Sequence, residues 1–361
     1  MIYRSALRPL LFTQEAEKAH ERTLLMLEAI SRTAGRTIGA FKRPELSVEV
    51  AGISFPNPIG LAAGCDKNAR AVRFWPRLGF GCVEVGTVTA EPQSGNPRPR
   101  VFRLPDQEAI VNRLGFNSEG AVSVSHRLNY LRRGPALSVP LAVNIGKTRN
   151  VTGESATLDD YRTGLRRLSR FADFVVINVS SPNTPGLREW QEKKHLDIIL
   201  QALQEESAAL ARLWGRKLVP LFVKISPDMS EKDIDDVAEV VLERNIAGVI
   251  ATNTTIARDG ALANLELEGG LSGKPLRERS LAALRRLYKA TGGRIPLIGV
   301  GGISDADTAY ERLKAGASLL QLYTALIYDG PLLPLRINEG LLRLMRRDGV
   351  KRISEIVGKE S

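Results

Sequence analysis

Two cysteines (Cys65, Cys82) and three histidines (His20, His126, His195) are all that 361 residues contain. Both cysteines stand beside apolar, strand-like runs, the setting of buried free thiols in a reducing compartment. The histidines show no ligand spacing, so no metal centre is expected. No apolar run reaches 18 residues, so no transmembrane helix is expected. The start lacks the long apolar core and small-residue cleavage site of a signal peptide. Aromatics are 6% of the chain, and no Lys/Arg block is interleaved with them. Zinc-finger spacing is missing too, so the net charge of +11 is not read as a nucleic-acid signal. An anionic membrane or an anionic substrate remains as its reason. Part of the charge gathers near the end, at Arg336, Arg343, Arg346, Arg347, Lys351 and Arg352, and reads as a solvated helix face.

What is present is 43% hydrophobic residues, enough for one large α/β domain with an appendage. Residues 1–45 form the appendage and 46–361 the domain. In the appendage, Leu7, Leu10, Leu11 and Phe12 surround Pro9. Thr13 can cap a helix with Glu15 and Glu17 in its first turn. Ala16, Ala19, Thr23, Leu24, Leu27 and Ile30 follow at helical period, and Leu25 and Met26 widen the apolar face. Arg4, Arg8, Lys18 and Arg22 edge it. Residues 31–43 read as a linker. Two readings stand: a helical hairpin packed on the domain, or an amphipathic element resting on a membrane surface.

From residue 46 short apolar runs recur at 58–64, 82–87, 141–145, 174–179, 221–225, 248–253, 296–300 and 319–323. They read as buried parallel strands. Helical stretches lie between them, for instance 231–244 capped by Ser230 and 305–315 capped by Ser304. Eight strand–helix units in about 300 residues point to a (β/α)8 barrel, with a doubly wound open sheet as the alternative. Between the second and third strands, residues 100–104 and 109–111 alternate enough for a small hairpin over the barrel mouth.

Function in such a barrel sits where strands end. The ends here are Ala62-Ala63-Gly64-Cys65-Asp66-Lys67, Gly86-Thr87-Val88-Thr89, Asn144-Ile145-Gly146-Lys147, Val223-Lys224-Ile225-Ser226 and Ala251-Thr252-Asn253-Thr254-Thr255. The fourth strand enters Asn178-Val179-Ser180-Ser181-Pro182-Asn183-Thr184-Pro185-Gly186, a polar loop held by two prolines and a glycine. Asp66 is the one acid noted at these ends. No carboxylate pair of the glycosidase type is present. The set suits an anionic ligand rich in hydrogen-bond acceptors. Gly301-Gly302 after the seventh strand and Tyr323-Thr324 after the eighth stand at the usual phosphate position of barrels, with Gly269-Gly270-Leu271-Ser272-Gly273 before them. Lys224 finds no acid nearby in sequence, and a buried ammonium without one is costly. A flavin, which gains negative charge on reduction, would partner it.

These motifs, with Glu84-Val85-Gly86-Thr87, Asn112-Arg113-Leu114-Gly115-Phe116-Asn117 and Val300-Gly301-Gly302-Ile303, resemble the dihydroorotate dehydrogenases of class 2, the membrane-associated, quinone-reducing enzymes of pyrimidine biosynthesis. The resemblance spans essentially the whole chain. It implies one FMN per chain, held by Ala63, Gly64, Cys65, Asp66, Lys67, Thr87, Asn144, Asn178, Lys224, Thr252, Gly273, Gly301, Gly302, Tyr323 and Thr324. It implies that dihydroorotate contacts Lys67, Asn112, Arg113, Leu114, Gly115, Phe116, Asn178, Asn183, Asn253 and Thr254. Ser181 would be the base, with Thr184 and Phe116 holding a water for the proton. A quinone would enter between the N-terminal helices. Class 1 resembles the barrel but uses a cysteine base and lacks residues such as 1–45. The family further implies a monomer on the cytoplasmic face of the inner membrane. Two departures are Ser118, where a second asparagine is frequent, and Cys65, where a larger apolar residue is usual. Another FMN barrel with a soluble acceptor, or a membrane-peripheral phosphate-ligand binder without catalysis, are the competing expectations.

Overall fold

The computed structural model describes residues 3–33 and 40–360. Eight strands close into a parallel barrel: β3 (Ile59–Asp66), β4 (Cys82–Val88), β7 (Leu141–Gly146), β8 (Phe174–Asn178), β9 (Leu221–Ile225), β10 (Gly248–Ala251), β12 (Leu297–Val300) and β13 (Ala317–Leu322), with β13 pairing back to β3. Each falls on one of the eight apolar runs. The runs are continuous because both faces of a barrel strand are covered, one by helices and one by the barrel interior. Helices α3 (Gly120–Arg133), α4 (Glu154–Leu168), α5 (Lys193–Trp214), α6 (Glu231–Glu243), α7 (Arg277–Thr291), α8 (Ala306–Lys314) and α10 (Leu333–Arg347) supply the outer layer, and α9 (Thr324–Asp329) follows β13 directly.

The strands' inward residues change character along the axis. Phe174 and Phe222 pack ring to ring at 4.9 Å, and Phe55 meets Phe174 at 6.2 Å. Gly248 makes room for this layer, since a Cβ there would lie 2.1 Å from the Phe222 ring. Four residues further on, β8 carries Asn178, and two further on, β9 carries Lys224, paired side by side in register. Side chains alternate along a strand, so Phe174 and Asn178 point the same way, as do Phe222 and Lys224. The apolar plug thus gives way to polar groups at the C-terminal ends. Helix ends follow local chemistry. Ser230 caps α6: its Oγ accepts the Asp233 N–H, and its own N–H donates to the Asp233 carboxylate. For α8 the cap is Asp305, not Ser304, because its Oδ1 accepts the Thr308 N–H at 2.8 Å while Thr308 Oγ1 accepts the Asp305 N–H.

Two further sheets lie outside the barrel. A hairpin of β1 (Val48–Val50) and β2 (Ile53–Phe55), absent from the sequence reading, leads into the first barrel strand and contributes Phe55. The expected hairpin over the mouth exists as β5 (Val101–Leu104) and β6 (Ala109–Asn112). It is joined by β11 (Gly270–Gly273), so the glycine run taken for part of a phosphate loop is mostly the third strand of a lid. Ala109, Val111 and Leu271 pack in a small core with Leu262, while Ile110, Asn112 and Ser272 line the cavity below.

The N-terminal residues form a π-helical turn (Tyr3–Leu7), α1 (Arg8–Phe12) and α2 (Ala16–Thr33). The cap of α2 is Glu15, whose carboxylate accepts the N–H groups of Glu17 and Lys18 at 3.1 and 3.3 Å. Thr13, expected there, instead donates to the Leu10 carbonyl at the end of α1. The linker assigned to 31–43 lies partly outside the described residues. Leu27 and Ala19 of α2 are buried, while Leu7, Leu10, Leu25 and Met26 are exposed by half or more.

One ion pair ties α2 to the lid. Arg100 donates from Nε and Nη2 to the Glu17 carboxylate at 3.0 and 2.7 Å, and both side chains are buried. Burial would raise the Glu17 carboxyl, but the bonds and charge of Arg100, with Arg98, hold it below its usual value. Glu17→Ala strands a buried guanidinium and should destabilise the fold by about 3–5 kcal/mol, read as a lowered Tm at neutral pH. The contribution is complete above about pH 4.3, the unfolded carboxyl's range, and disappears as pH falls through the lower folded value. A variant that melts with wild type would show that this pair holds nothing.

Candidate active site

A cavity of about 990 Å³ opens at the C-terminal ends of the barrel strands and runs outward between α1, α2 and the lid. Its floor is polar and fully buried. Glu84 of β4 accepts from Asn144 Nδ2 at 2.7 Å and from the Gln321 amide. Gln321 is on β13, which is separated from β4 by β3, so this bond crosses the barrel interior. Glu84 is also the acid that the sequence did not place beside Lys224. Burial lowers the Lys224 ammonium, and the Glu84 charge opposes that shift. The strand ends are therefore not as free of carboxylates as their motifs suggested. Asp66, conversely, is not available: its carboxylate accepts from the N–H groups of Arg70 (2.7 Å) and Ala71 (2.8 Å) and from Trp75 Nε1 (3.1 Å). It shapes the loop after β3 and reaches the cavity wall only beside Cys65 and Lys67.

Above the floor lies a network of amides. Thr87 donates to Asn144 Oδ1 at 2.6 Å, and Asn178 Nδ2 donates to Thr87 Oγ1 at 2.9 Å. Asn144 is consumed by these bonds and by Glu84, one layer beneath the cavity surface. The Asn178 amide oxygen takes the Ser180 hydroxyl at 2.9 Å, and Asn253 Nδ2 donates to Ser180 Oγ at 3.0 Å. Ser180 is thus spent on the network. Ser181 lines the cavity, and its Oγ accepts only a 3.3 Å bond from the Asn183 N–H. Asn183 in turn donates to the Asn112 carbonyl at 3.1 Å, which fastens the proline loop to the lid. Thr184 is buried and is not among the residues lining the cavity, and its hydroxyl has no partner. Phe116, buried at a left-handed φ of 54°, also lines the cavity. Asn253 Oδ1 accepts the Thr254 N–H at 2.8 Å, setting that pair at the rim.

Lys67 enters from the β3 loop and donates to Asn117 Oδ1. Burial, reinforced by the Arg100 charge, lowers its ammonium to about 7. Leu114 and Gly115 line the same wall. Arg113 does not: its guanidinium turns outward, donating to the Pro99 carbonyl and stacking on Phe102. Ser118 accepts the N–H groups of Thr89 and Gly120 at 3.3 and 3.1 Å, so the family departure there leaves a closed loop.

Ala63, Gly64, Thr252, Gly273, Gly301, Gly302, Tyr323 and Thr324 also line the cavity. Thr324 donates to Ser272 across to the lid at 2.8 Å. Gly302 has φ 67°, and a Cβ there would come within 2.5 Å of Arg277, so only glycine fits. Toward the N-terminal helices the lining becomes apolar, with His20 set 6.1 Å from the Tyr323 ring. Burial, then the charge of Lys67, lowers His20 to about 4, which leaves it neutral at physiological pH. Neither His20 nor Glu84 was singled out in sequence. His20 had a signal, one turn from Glu17 on a helical face. Among the described residues, no group of three His, Cys, Asp or Glu side chains is placed to hold a metal.

The model of the family described as dihydroorotate dehydrogenase matches residues 45–345. The dihydroorotate dehydrogenase (quinone) of Chloroflexus aurantiacus is 50% identical over 354 residues, covering 95% of this chain and 96% of that one. That of Thermobifida fusca is 48% identical, covering 99% and 96%. The crystal structure of the DHODH of Eimeria tenella in complex with ferulenol superposes with a TM-score of 0.87 at 40% identity, covering 95% of each chain. With this barrel, this cavity and these relatives, the chain belongs to the dihydroorotate dehydrogenase family, in its quinone-dependent class 2.

Proposed function

We propose that this chain oxidises (S)-dihydroorotate to orotate in pyrimidine biosynthesis, using one FMN per chain and a membrane quinone as final acceptor. The observation that carries the reading is the contrast between adjacent serines: Ser180 is locked into the amide network, whereas Ser181 faces the cavity. The residues fit a flavin mononucleotide. Lys224 offers a buried ammonium donor beside Thr87 and Asn178 in the cavity lining, the Gln321 Oε1 acceptor at the floor is buried without a partner, and the Gly301-Gly302 turn is a cradle that a Cβ would fill. The chemistry that bound FMN supplies is hydride acceptance from substrate C6 and electron transfer onward to the quinone.

The chain's own residues do the rest. Lys67 pairs the substrate carboxylate, whose charge favours the protonated ammonium. Asn112, Asn183, Asn253 and Thr254 read the ring amides and carbonyls. Ser181 removes the C5 proton, and the unpartnered Thr184 hydroxyl together with the Phe116 wall holds the water that receives it. Residues 1–45 serve as the quinone-access segment of a monomeric, peripheral protein on the cytoplasmic face of the inner membrane. The cavity's continuity from Lys67 to α1 and α2 supports that route. Among the described residues no helix is long and apolar enough to cross a membrane.

Steady-state oxidation of dihydroorotate with quinone, fumarate and NAD compared as acceptors tests the whole reading. Quinone should be strongly preferred. Equal turnover with a soluble acceptor would transfer the chain to another class of flavin barrel, and a colourless, inactive protein would make it a binding protein.

Lys224→Ala should weaken flavin binding by about 10- to 100-fold, the value of a charge-assisted hydrogen bond. It leaves Glu84 buried with only neutral donors and removes the cation that would partner the flavin. Flavin content after dialysis reads this out; full occupancy would exclude Lys224 as a cofactor ligand.

A further inference from the structure

The Gly301-Gly302 turn is backed by a group that none of the motifs contains. Arg312, on α8, is fully buried among the largest enclosed side chains of the protein. Its Nη2 donates to the Gly301 carbonyl, to the Arg277 carbonyl at 3.0 Å and to Ser280 Oγ at 2.9 Å. Its Nε and Nη1 are buried without any partner, and no carboxylate forms a salt bridge with it among the described residues. The acid beside it in sequence, Glu311, is instead paired with Arg277 at 2.9 Å. A buried cation without an anion is expensive, and its neutral bonds to Arg277 and Ser280 of α7 leave that charge without a counter-ion.

The bond to Gly301 gives the cation a use. In a trans peptide the C=O and the following N–H point in opposite directions. A guanidinium holding the Gly301 carbonyl from behind therefore turns the Gly302 N–H toward the cavity that Gly302 lines. It also polarises that peptide, which strengthens the N–H as a donor. Gly301 and Gly302 both sit at positive φ, 114° and 67°, conformations open to glycine and not fixed by a side chain of their own.

We propose that Arg312 is a positioning residue for the cofactor's phosphate: it fixes and polarises the Gly301–Gly302 peptide and supplies, from behind the turn, the positive charge that a phosphate dianion there requires. This rests on the FMN reading above. It makes the phosphate end of the site, and not the ring end, depend on Arg312.

The test uses the full-length holoenzyme and two flavins that differ only in the phosphate. Exchange of bound flavin against excess FMN or riboflavin, followed by flavin fluorescence, gives a preference ratio. Arg312→Met should lower the FMN-over-riboflavin preference by about 10-fold or more while riboflavin affinity stays near wild type. Arg312→Gln, which keeps a donor but not the charge, should fall between the two, and it carries the test if the methionine variant does not fold. An equal loss for both flavins, or an unchanged ratio, overturns the assignment and leaves Arg312 a packing residue. A wild-type protein that shows no preference for FMN would overturn the cofactor reading instead.

Discussion

Ser181→Ala is expected to retain its flavin and to be reduced by dihydroorotate roughly 10²-fold more slowly, or worse, the usual scale for loss of a general base. The flavin should stay because Ser181 makes no bond within the Glu84–Asn144–Thr87–Asn178 network; its one partner is the Asn183 N–H. The rate should fall because no other side chain takes its place. Ser180 is adjacent but committed at its hydroxyl to Asn178 and Asn253. His20, on α2 among the N-terminal helices, is held neutral and sits beside the Tyr323 ring. A serine hydroxyl is a weak base by itself, so the effect depends on the proton having somewhere to go; the Thr184 hydroxyl, buried without a hydrogen-bond partner, is the group proposed above to hold the water that receives it. Stopped-flow bleaching of the flavin isolates this half of the reaction from quinone chemistry. Bleaching near the wild-type rate would remove Ser181 from the mechanism.

The eight barrel strands were legible because burial on both faces leaves an unbroken apolar run, a signal that survives without any alignment. The loops following them were legible because prolines, glycines and amides cluster where chain and ligand meet. What the sequence hid was partnership across distance. Glu84 and Gln321 stand 237 positions apart and touch only because β13 closes against β3. Without that closure Lys224 had no visible acid; with it, Glu84 supplies part of the counter-charge to the buried ammonium. The lid repeats the lesson. β11 pairs with β6 over a separation that no hairpin signal spans, so its glycines read as a loop. Direction was the other blind spot. Arg113 sits within a motif whose neighbours line the cavity, yet its side chain turns outward to Pro99, and Asp66 turns into its own loop. A motif places a backbone; the rotamer is decided by the partners that tertiary structure brings.

Replacing Leu10 and Met26 together by glutamate should lower binding to vesicles containing anionic phospholipid by about 100-fold while leaving flavin reduction by dihydroorotate intact. The two side chains are 63% and 56% exposed, on α1 and α2, where the cavity reaches the surface. Neither joins the core through which Leu27 anchors α2, so the fold should tolerate the change. Burying each in lipid is worth about 1.5 kcal/mol, and two together correspond to about 10²-fold in affinity. Lys18 and Arg22 are on the same helix, and each basic group near an anionic surface adds about 1 kcal/mol; two new carboxylates oppose that attraction. Turnover with a long-chain quinone dissolved in the vesicles should fall with binding, because such an acceptor reaches the cavity only from the bilayer. Turnover with a short-chain, water-soluble quinone should persist, since the walls around Tyr323 and His20 are untouched. Vesicle binding at the wild-type level would mean that these exposed side chains face water, and that α1 and α2 form a hairpin that closes the barrel mouth without delivering it to a membrane.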